Sequence, residues 1–535
     1  MNRIAACIAV AAFGAGAYST ICRADPLRIE SGMIDGGASS DGAMRVYKGV
    51  PYARPPVGDL RWRAPQPAEP WTGVRKTEAF APICMQPDPP PGNSLFKTLF
   101  FTPAGPKSED CLYLNIWTTA TPGGPKQPVM VWIPGGGFRA GSASGPIYDG
   151  ESLARRGVTV VSINYRLWKF GYLAHPGLTA ESEHHASGNY GLMDQIATLQ
   201  WVQRNIGAFD GDPAQVTIFG QSAGSYSVNY LVASPLAKGL FARAIGESGA
   251  AFAPATAGSI MGHTLLPLAD AEKGGQRLAD VMGAKSIAEL RRKSPEDILA
   301  VPSPDRYESS WPMLDGYVLP NSVDNIFANG RQNDVPVLTG TNADEGSLFP
   351  SVGALAAYQD QARKNFGPRA TEFLGLYPAS SDADTRKASE TAFRDTLAGW
   401  ENWSWVRAQS KTGKAPIYYY YFTRKPPAPA EEQFTEHLGA DVGVYHGAEL
   451  AYVFGNFYPT TWAWSDDDRR FAKIVSSYWI NFAKTGNPNG DDLPPWAAFD
   501  PGNPRAMHFA KSAVMGPVDN RRLYDFWDEY VRNWK

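Results

Sequence analysis

The residues best placed to do chemistry lie in Gly220-Gln-Ser-Ala-Gly224. Before them, Val216, Ile218 and Phe219 make a short apolar, β-branched run of the kind that forms a buried strand. After them, residues 225–233 read as a helix. A serine between two glycines at a strand-to-helix turn has its hydroxyl pushed out at the apex, the arrangement of a nucleophile elbow. The five-residue pattern is common by chance in a glycine-rich chain, so its weight comes from this context and from the partners the serine needs.

An activated serine needs a base, and the base needs an acid that holds its tautomer. Where such a serine sits on an α/β sheet, the partners follow in the order Ser, Asp or Glu, His. The chain has seven histidines. Past the serine, Asp344 and Glu345 lie in a turn after the apolar run 335–339, and His446 lies between Gly443 and Gly447. By pattern alone, His437 and His508 remain candidates as well. A further glycine run, Pro134-Gly-Gly-Gly-Phe138, follows the apolar run 129–133, and glycines let backbone N–H groups approach a developing oxyanion. No Walker lysine or GxGxxG spacing accompanies it, so phosphate binding is not expected.

The elements that must position these residues alternate. Strand patterns at 129–133 and 158–163 are separated by helix-compatible residues near 151–156. Leu192, Ile196, Leu199, Val202 and Ile206 recur at helical spacing before the elbow strand. Strands are expected again at 242–246, 335–339 and 417–422, with a mostly helical insertion from about 350 to 412. Continuous apolar strands alternating with helices imply a mostly parallel, doubly wound α/β sheet covered on both faces. A length of 535 residues would suggest several domains, but no linker divides the chain, and residues 25–535 are expected to form one catalytic domain.

Composition narrows the function. A hydrophobic fraction of 43% supplies ample core, and a net charge of −3 without a Lys/Arg cluster argues against nucleic acid as a partner. Met1-Asn-Arg3 and the apolar run 4–17 read as a signal peptide, too short for a membrane span, with cleavage after Ala24 or, alternatively, Ala17. No lipobox precedes Cys22, so export to the periplasm or medium without membrane insertion is expected. Cleavage after Ala24 removes Cys7 and Cys22 and leaves Cys84 and Cys111. Two cysteines in an exported protein most simply form one disulfide, and a loop of about 26 residues closed this way is worth roughly 3 kcal/mol. Between them, Leu95, Phe96, Leu99, Phe100 and Phe101 suggest a lid or pocket wall.

Several blocks together resemble the type B carboxylesterase family, which includes bacterial esterases and the cholinesterases. They are residues 209–224 around the serine, Glu109-Asp-Cys-Leu-Tyr-Leu-Asn-Ile-Trp117, Gly188 to Gln195, Asn342 to Ser347, His446 to Leu450, and Asn481 to Gly486. The resemblance implies an α/β-hydrolase fold and a carboxylesterase activity with Ser222 as nucleophile, Glu345 as acid and His446 as base. It further implies an oxyanion hole from Gly136, Gly137 and Ala223, substrate contacts from Gln221 and Phe138, and a Cys84–Cys111 disulfide. Asp344, His437 and His508 then become ordinary polar residues. No cofactor or metal is implied, and the partner is a small-molecule ester; the sequence leaves the oligomeric state open, with a monomer as the expectation. Pro134, Asp210 and Thr119 depart from the family pattern peripherally. Gln221 departs more pointedly, because the family commonly has Glu beside the serine. Two other readings share these motifs: an enzyme dedicated to one bulky ester, such as a mycotoxin polyester or a pyrethroid, and a non-catalytic extracellular binding protein.

Overall fold

The computed structural model of the protein describes residues 26–533 apart from 90–91, 93, 96, 98–104, 255–264, 304–310, 429–433, 435–440 and 459. The proposed signal segment, His437 and the phenylalanines at 96, 100 and 101 lie outside the described residues.

One 13-stranded sheet organises the chain. Twelve strands form its path: β1 (Leu27–Ile29), β2 (Gly32–Ala38), β3 (Arg45–Pro51), β4 (Tyr113–Thr118), β5 (Gln127–Ile133), β6 (Thr159–Ile163), β7 (Gly211–Gln221), β8 (Arg243–Glu247), β9 (Val337–Asn342), β10 (Ile417–Phe422), β11 (Arg505–Phe509) and β12 (Ala513–Pro517). Their spatial order is β1-β2-β3-β4-β6-β5-β7-β8-β9-β10-β11-β12, and Val74–Thr77 pairs with β2 off this path. The seven strands from β6 to β11 in this order are parallel, and antiparallel pairs flank them on both sides.

Side chains of a strand point alternately to the two faces, so each central strand feeds two cores. Val129, Val131, Ile133, Val216 and Ile218 pack on one face with α1 (Tyr190–Asn205) and α2 (Ala223–Ala233). Met130, Trp132, Phe219 and Ile245 pack on the other, against residues 471–483. Because both faces are covered, the strands read as unbroken apolar runs rather than as alternating ones.

Residues 355–412 are mostly helical, with a break at 377–381. Besides two shorter segments they contain α3 (Asp382–Arg394), a π-helical turn over Asp395–Gly399, and α4 (Trp400–Thr412). Next come α5 (Leu450–Phe454), α6 (Asp466–Thr485) and α7 (Arg521–Asn533). Ser465 and Asp468 form a capping box at the start of α6, and Gly486, with φ of 78°, ends it in the left-handed conformation. Two expected elements shift. The strand expected at 335–339 lies at Val337–Asn342, because Pro336 has no N–H for the ladder. The helix expected near 151–156 ends at Ala154, ahead of Gly157 with φ of 83°.

Parallel strands carry their sites at their C-terminal ends. β5 ends at Ile133, β7 at Gln221, β8 at Glu247 and β9 at Asn342, all on one edge. The register pairs Gly220 with Ile133 and Gln221 with Glu247.

Candidate active site

Ser222 joins β7 to α2 with φ of 57° and ψ of −126°, a conformation that L residues other than glycine seldom adopt. Such strain costs of order 1–3 kcal/mol and persists only where the surroundings enforce it. Here the enforcement is visible. Ser222 N–H donates to the carbonyl of Glu247 at 2.9 Å, and Tyr226 N–H returns to the carbonyl of Ser222 at 2.9 Å. The flanking glycines serve close approach rather than positive φ. A Cβ on Gly224 would lie 2.0 Å from the Ile133 carbonyl oxygen, and one on Gly220 would lie 2.6 Å from the carbonyl carbon of Gly224. The motif's glycines therefore let β5 and the first turn of α2 press against the strand end, while the serine itself takes the strained turn.

The glycine loop after β5 comes down beside this elbow. A Cβ on Gly135 would stand 2.6 Å from the Gln221 carbonyl oxygen and 3.1 Å from Ser222 Cβ. Gly136 and Gly137 have φ of 111° and 64°, and a Cβ on Gly137 would meet nothing within 4 Å. The loop is anchored from behind. Trp168 N–H donates to the Phe138 carbonyl at 2.6 Å, and Gln86 accepts from Gly141 N–H at 3.0 Å while donating to the Gly141 carbonyl at 3.1 Å. Phe138 is fully buried and packs against Tyr172 and Trp311 with ring centroids 5.2 and 4.9 Å away. Next to Trp168, burial and the neighbouring Arg139 lower the Lys169 ammonium pKa to about 8.

Glu345 and His446 come together although they are 101 residues apart: Glu345 Oε2 accepts from His446 Nδ1, and both side chains are buried completely. The other oxygen, Glu345 Oε1, accepts from Thr341 Oγ1 at 3.0 Å and Asn342 N–H at 2.6 Å. With its Nδ1 proton directed at Glu345, the ring presents Nε2 as an acceptor. Gln221 Nε2 lies 3.3 Å from that atom and donates to it. This contact places Nε2 of His446 against the residue that immediately precedes Ser222. The Phe349 ring, centroid 5.6 Å from that of His446, adds an apolar wall, and Phe393 lies 4.7 Å behind it.

Asp344, expected from the family resemblance to be an ordinary polar residue, instead joins two loops of the site. Its N–H donates to the Val444 carbonyl at 3.0 Å, and its Oδ2 accepts from Val444 N–H at 2.8 Å. Gly443, with φ of 61°, brings its backbone so close that a Cβ would lie 2.4 Å from that same oxygen. Asp344 thus clips the His446 loop to the turn that carries Glu345. The sequence signal was present in the adjacency of two acids and in the glycine two residues before Tyr445, but only the fold shows that they meet. His508 stands apart, with Nε2 2.8 Å from the Pro517 carbonyl. Cys84 and Cys111 are joined in a disulfide.

The profile of the Carboxylesterase family matches residues 24–527. The chain belongs to that family. Among its relatives is the fumonisin B1 esterase of Sphingopyxis macrogoltabida, 36% identical over 487 residues that span 88% of this chain and 84% of that protein. Another is the para-nitrobenzyl esterase of Bacillus subtilis (strain 168), 35% identical over 481 residues, 86% of this chain and 90% of that one. A solved structure of a PNB esterase superposes with a TM-score of 0.78 at 31% identity and covers 93% of this chain and 99% of its own. The fold of this carboxylesterase is accordingly that of an α/β hydrolase, and its substrates are small-molecule esters. Among the described residues, no helix is long and apolar enough to cross a membrane.

Proposed function

We propose that the chain is an exported serine carboxylesterase that works through an acyl-enzyme on Ser222. The observation that carries this reading is the buried His446–Glu345 pair whose outer nitrogen abuts the strained elbow. Ser222 Oγ attacks the ester carbonyl carbon while its proton passes to His446 Nε2. Glu345 holds the tautomer and stabilises the imidazolium that forms. The N–H groups of Gly136, Gly137 and Ala223 receive the oxyanion. The tetrahedral intermediate collapses as the imidazolium protonates the departing alkoxide, giving free alcohol and acyl-Ser222. Water, deprotonated by His446, then attacks the acyl carbon, and the second collapse returns the proton to Ser222 and releases the acid. Residues 1–24 are the export signal in this reading.

Gln221 supports a substrate preference. A glutamine beside the nucleophile lacks the field of a carboxylate, so cationic alcohols gain nothing there and anionic esters are not repelled. We therefore assign neutral and anionic esters to this enzyme ahead of choline esters. The relation to a fumonisin B1 esterase makes that compound one member of the test panel, with a p-nitrobenzyl ester as the neutral member and a choline ester as the cationic one. Ranking kcat/KM across esters matched for size tests the assignment, and a choline ester as the best substrate would overturn it. N-terminal sequencing of protein recovered from the periplasm or medium tests export, with Asp25 expected first.

A further inference from the structure

Behind the elbow lies a group of buried acids that the mechanism above does not use. The sheet register places Gln221, Glu247, Gly340 and Tyr420 in one row across β7 to β10, where neighbouring side chains share a face. Gly340 is the gap in that row: a Cβ there would lie 2.4 Å from the Tyr420 ring. Glu449, three residues past His446, is directed at the same place. Both Glu247 and Glu449 are completely buried.

Their partners are few and neutral. Glu247 Oε1 accepts from Trp479 Nε1 at 2.7 Å, and Glu449 Oε2 accepts from Asn342 Nδ2. Among the described residues, Glu247 Oε2, Glu449 Oε1 and the Tyr420 hydroxyl meet no hydrogen-bond partner. The charged and titratable groups facing the pair are Glu345 from the turn after β9, Tyr420 from β10, Tyr148 from the turn over Pro146–Tyr148, and Tyr445 from the histidine loop. None is a cation. Glu345 offers the contrast within the same site, because it collects Thr341 Oγ1, Asn342 N–H and His446 Nδ1, the donor set that suits an ionised carboxylate. A buried carboxylate without such donors takes up a proton rather than keep its charge. Asn342 ties these groups together, since its backbone N–H serves Glu345 while its side-chain amide serves both Glu449 and the Tyr445 carbonyl, the latter at 3.0 Å.

We propose that at least one of Glu247 and Glu449 is an un-ionised acid in the working enzyme, and that Glu449, acting through Asn342, positions the loop that carries His446. The proposal rests on the Ser222–His446–Glu345 reading. Burial raises the Glu247 carboxyl to about 8, in keeping with it. Burial, and then the charges of Glu247 and Glu345, push the Glu449 carboxyl well above the carboxylate range. A carboxyl whose folded pKa exceeds its unfolded value holds a proton that the unfolded chain has released. The stability it contributes is therefore present at low pH and is lost as pH rises from the ordinary carboxylate range to about 8.

The test uses the mature enzyme and its Glu247→Gln/Glu449→Gln double variant. Calorimetric unfolding at pH 7 in buffers of different ionisation enthalpy reads the protons released. The wild type should release about one proton or more beyond the double variant, and its melting temperature should fall faster between pH 5.5 and 8. Equal proton release would overturn the neutral acid. For positioning, Glu449→Ala should lower kcat about tenfold or more with KM little changed, and Glu449→Gln should restore most of that loss. A wild-type kcat in the alanine variant, or a glutamine variant as slow as alanine, would overturn it. Labelling of Ser222 by a fluorophosphonate in the wild type separates the two levels: a labelled Ser222 with unchanged proton release sinks this proposal alone, and an unlabelled Ser222 sinks the reading beneath it.

Discussion

Replacing Gln221 with glutamate would put a carboxylate where the amide now meets His446. The two side chains are completely buried, and their nitrogens lie 3.3 Å apart. At that separation a unit charge pair is worth about 5 kcal/mol at an effective dielectric near 20. The realised effect is smaller, because Glu345 already faces the opposite nitrogen and the new carboxyl can take up a proton itself. A shift of about one pH unit, about 1.4 kcal/mol, is expected. The sign follows from the mechanism. Neutral imidazole is the working base, and a carboxylate favours the imidazolium, so the acid limb of kcat/KM must move to higher pH in Gln221→Glu. The assay is kcat/KM against pH from 5 to 9 for one neutral ester with wild type and variant. An acid limb that stays within about 0.3 unit of wild type, or moves down, would refute the reasoning. The same pair compared on cationic and anionic esters should show the ratio moving towards cations by about threefold or more.

Three further outcomes follow from the site. Gly224→Ala sets a methyl 2.0 Å from the Ile133 carbonyl oxygen, so backbone must move; a loss of about 2 kcal/mol or more in urea denaturation is expected, with turnover falling too, and a wild-type midpoint would contradict it. Asp344→Ala releases Val444 N–H and the histidine loop; kcat should fall about tenfold or more while KM changes little, and an unchanged kcat would show that the loop needs no clip. Native mature protein should show no thiol reactive to a thiol reagent until Cys84–Cys111 is reduced, and reduction should remove up to about 3 kcal/mol of stability; two titratable thiols in native protein would count against the bond.

The sheet was legible in the sequence because its central strands are buried on both faces and so leave uninterrupted runs such as 129–133 and 158–163. Their ends were less legible. Proline at 336 and the glycine at 157 moved boundaries by a few residues, since hydrogen-bond geometry rather than hydrophobicity sets where a ladder starts or a helix stops. The serine elbow showed itself through spacing, but the reason for its glycines did not: Gly220 and Gly224 yield to close backbone approach from Ile133, a contact made across more than 80 residues of chain. Glu345 and His446 were selected through likeness to a family, because order along the chain left other histidines open. The role of Asp344, and the row formed by Gln221, Glu247 and Tyr420, depend on strand register, which periodicity alone does not specify.

The central claim is that Ser222 is the nucleophile, and a fluorophosphonate reports on it directly. Mature enzyme should gain one phosphonyl group by intact mass, and peptide mapping should place it on Ser222. The Ser222→Ala variant should remain folded, take no label, and hydrolyse its best ester at least about a thousandfold more slowly. Label on another residue, or an alanine variant with near-normal turnover, would contradict the account.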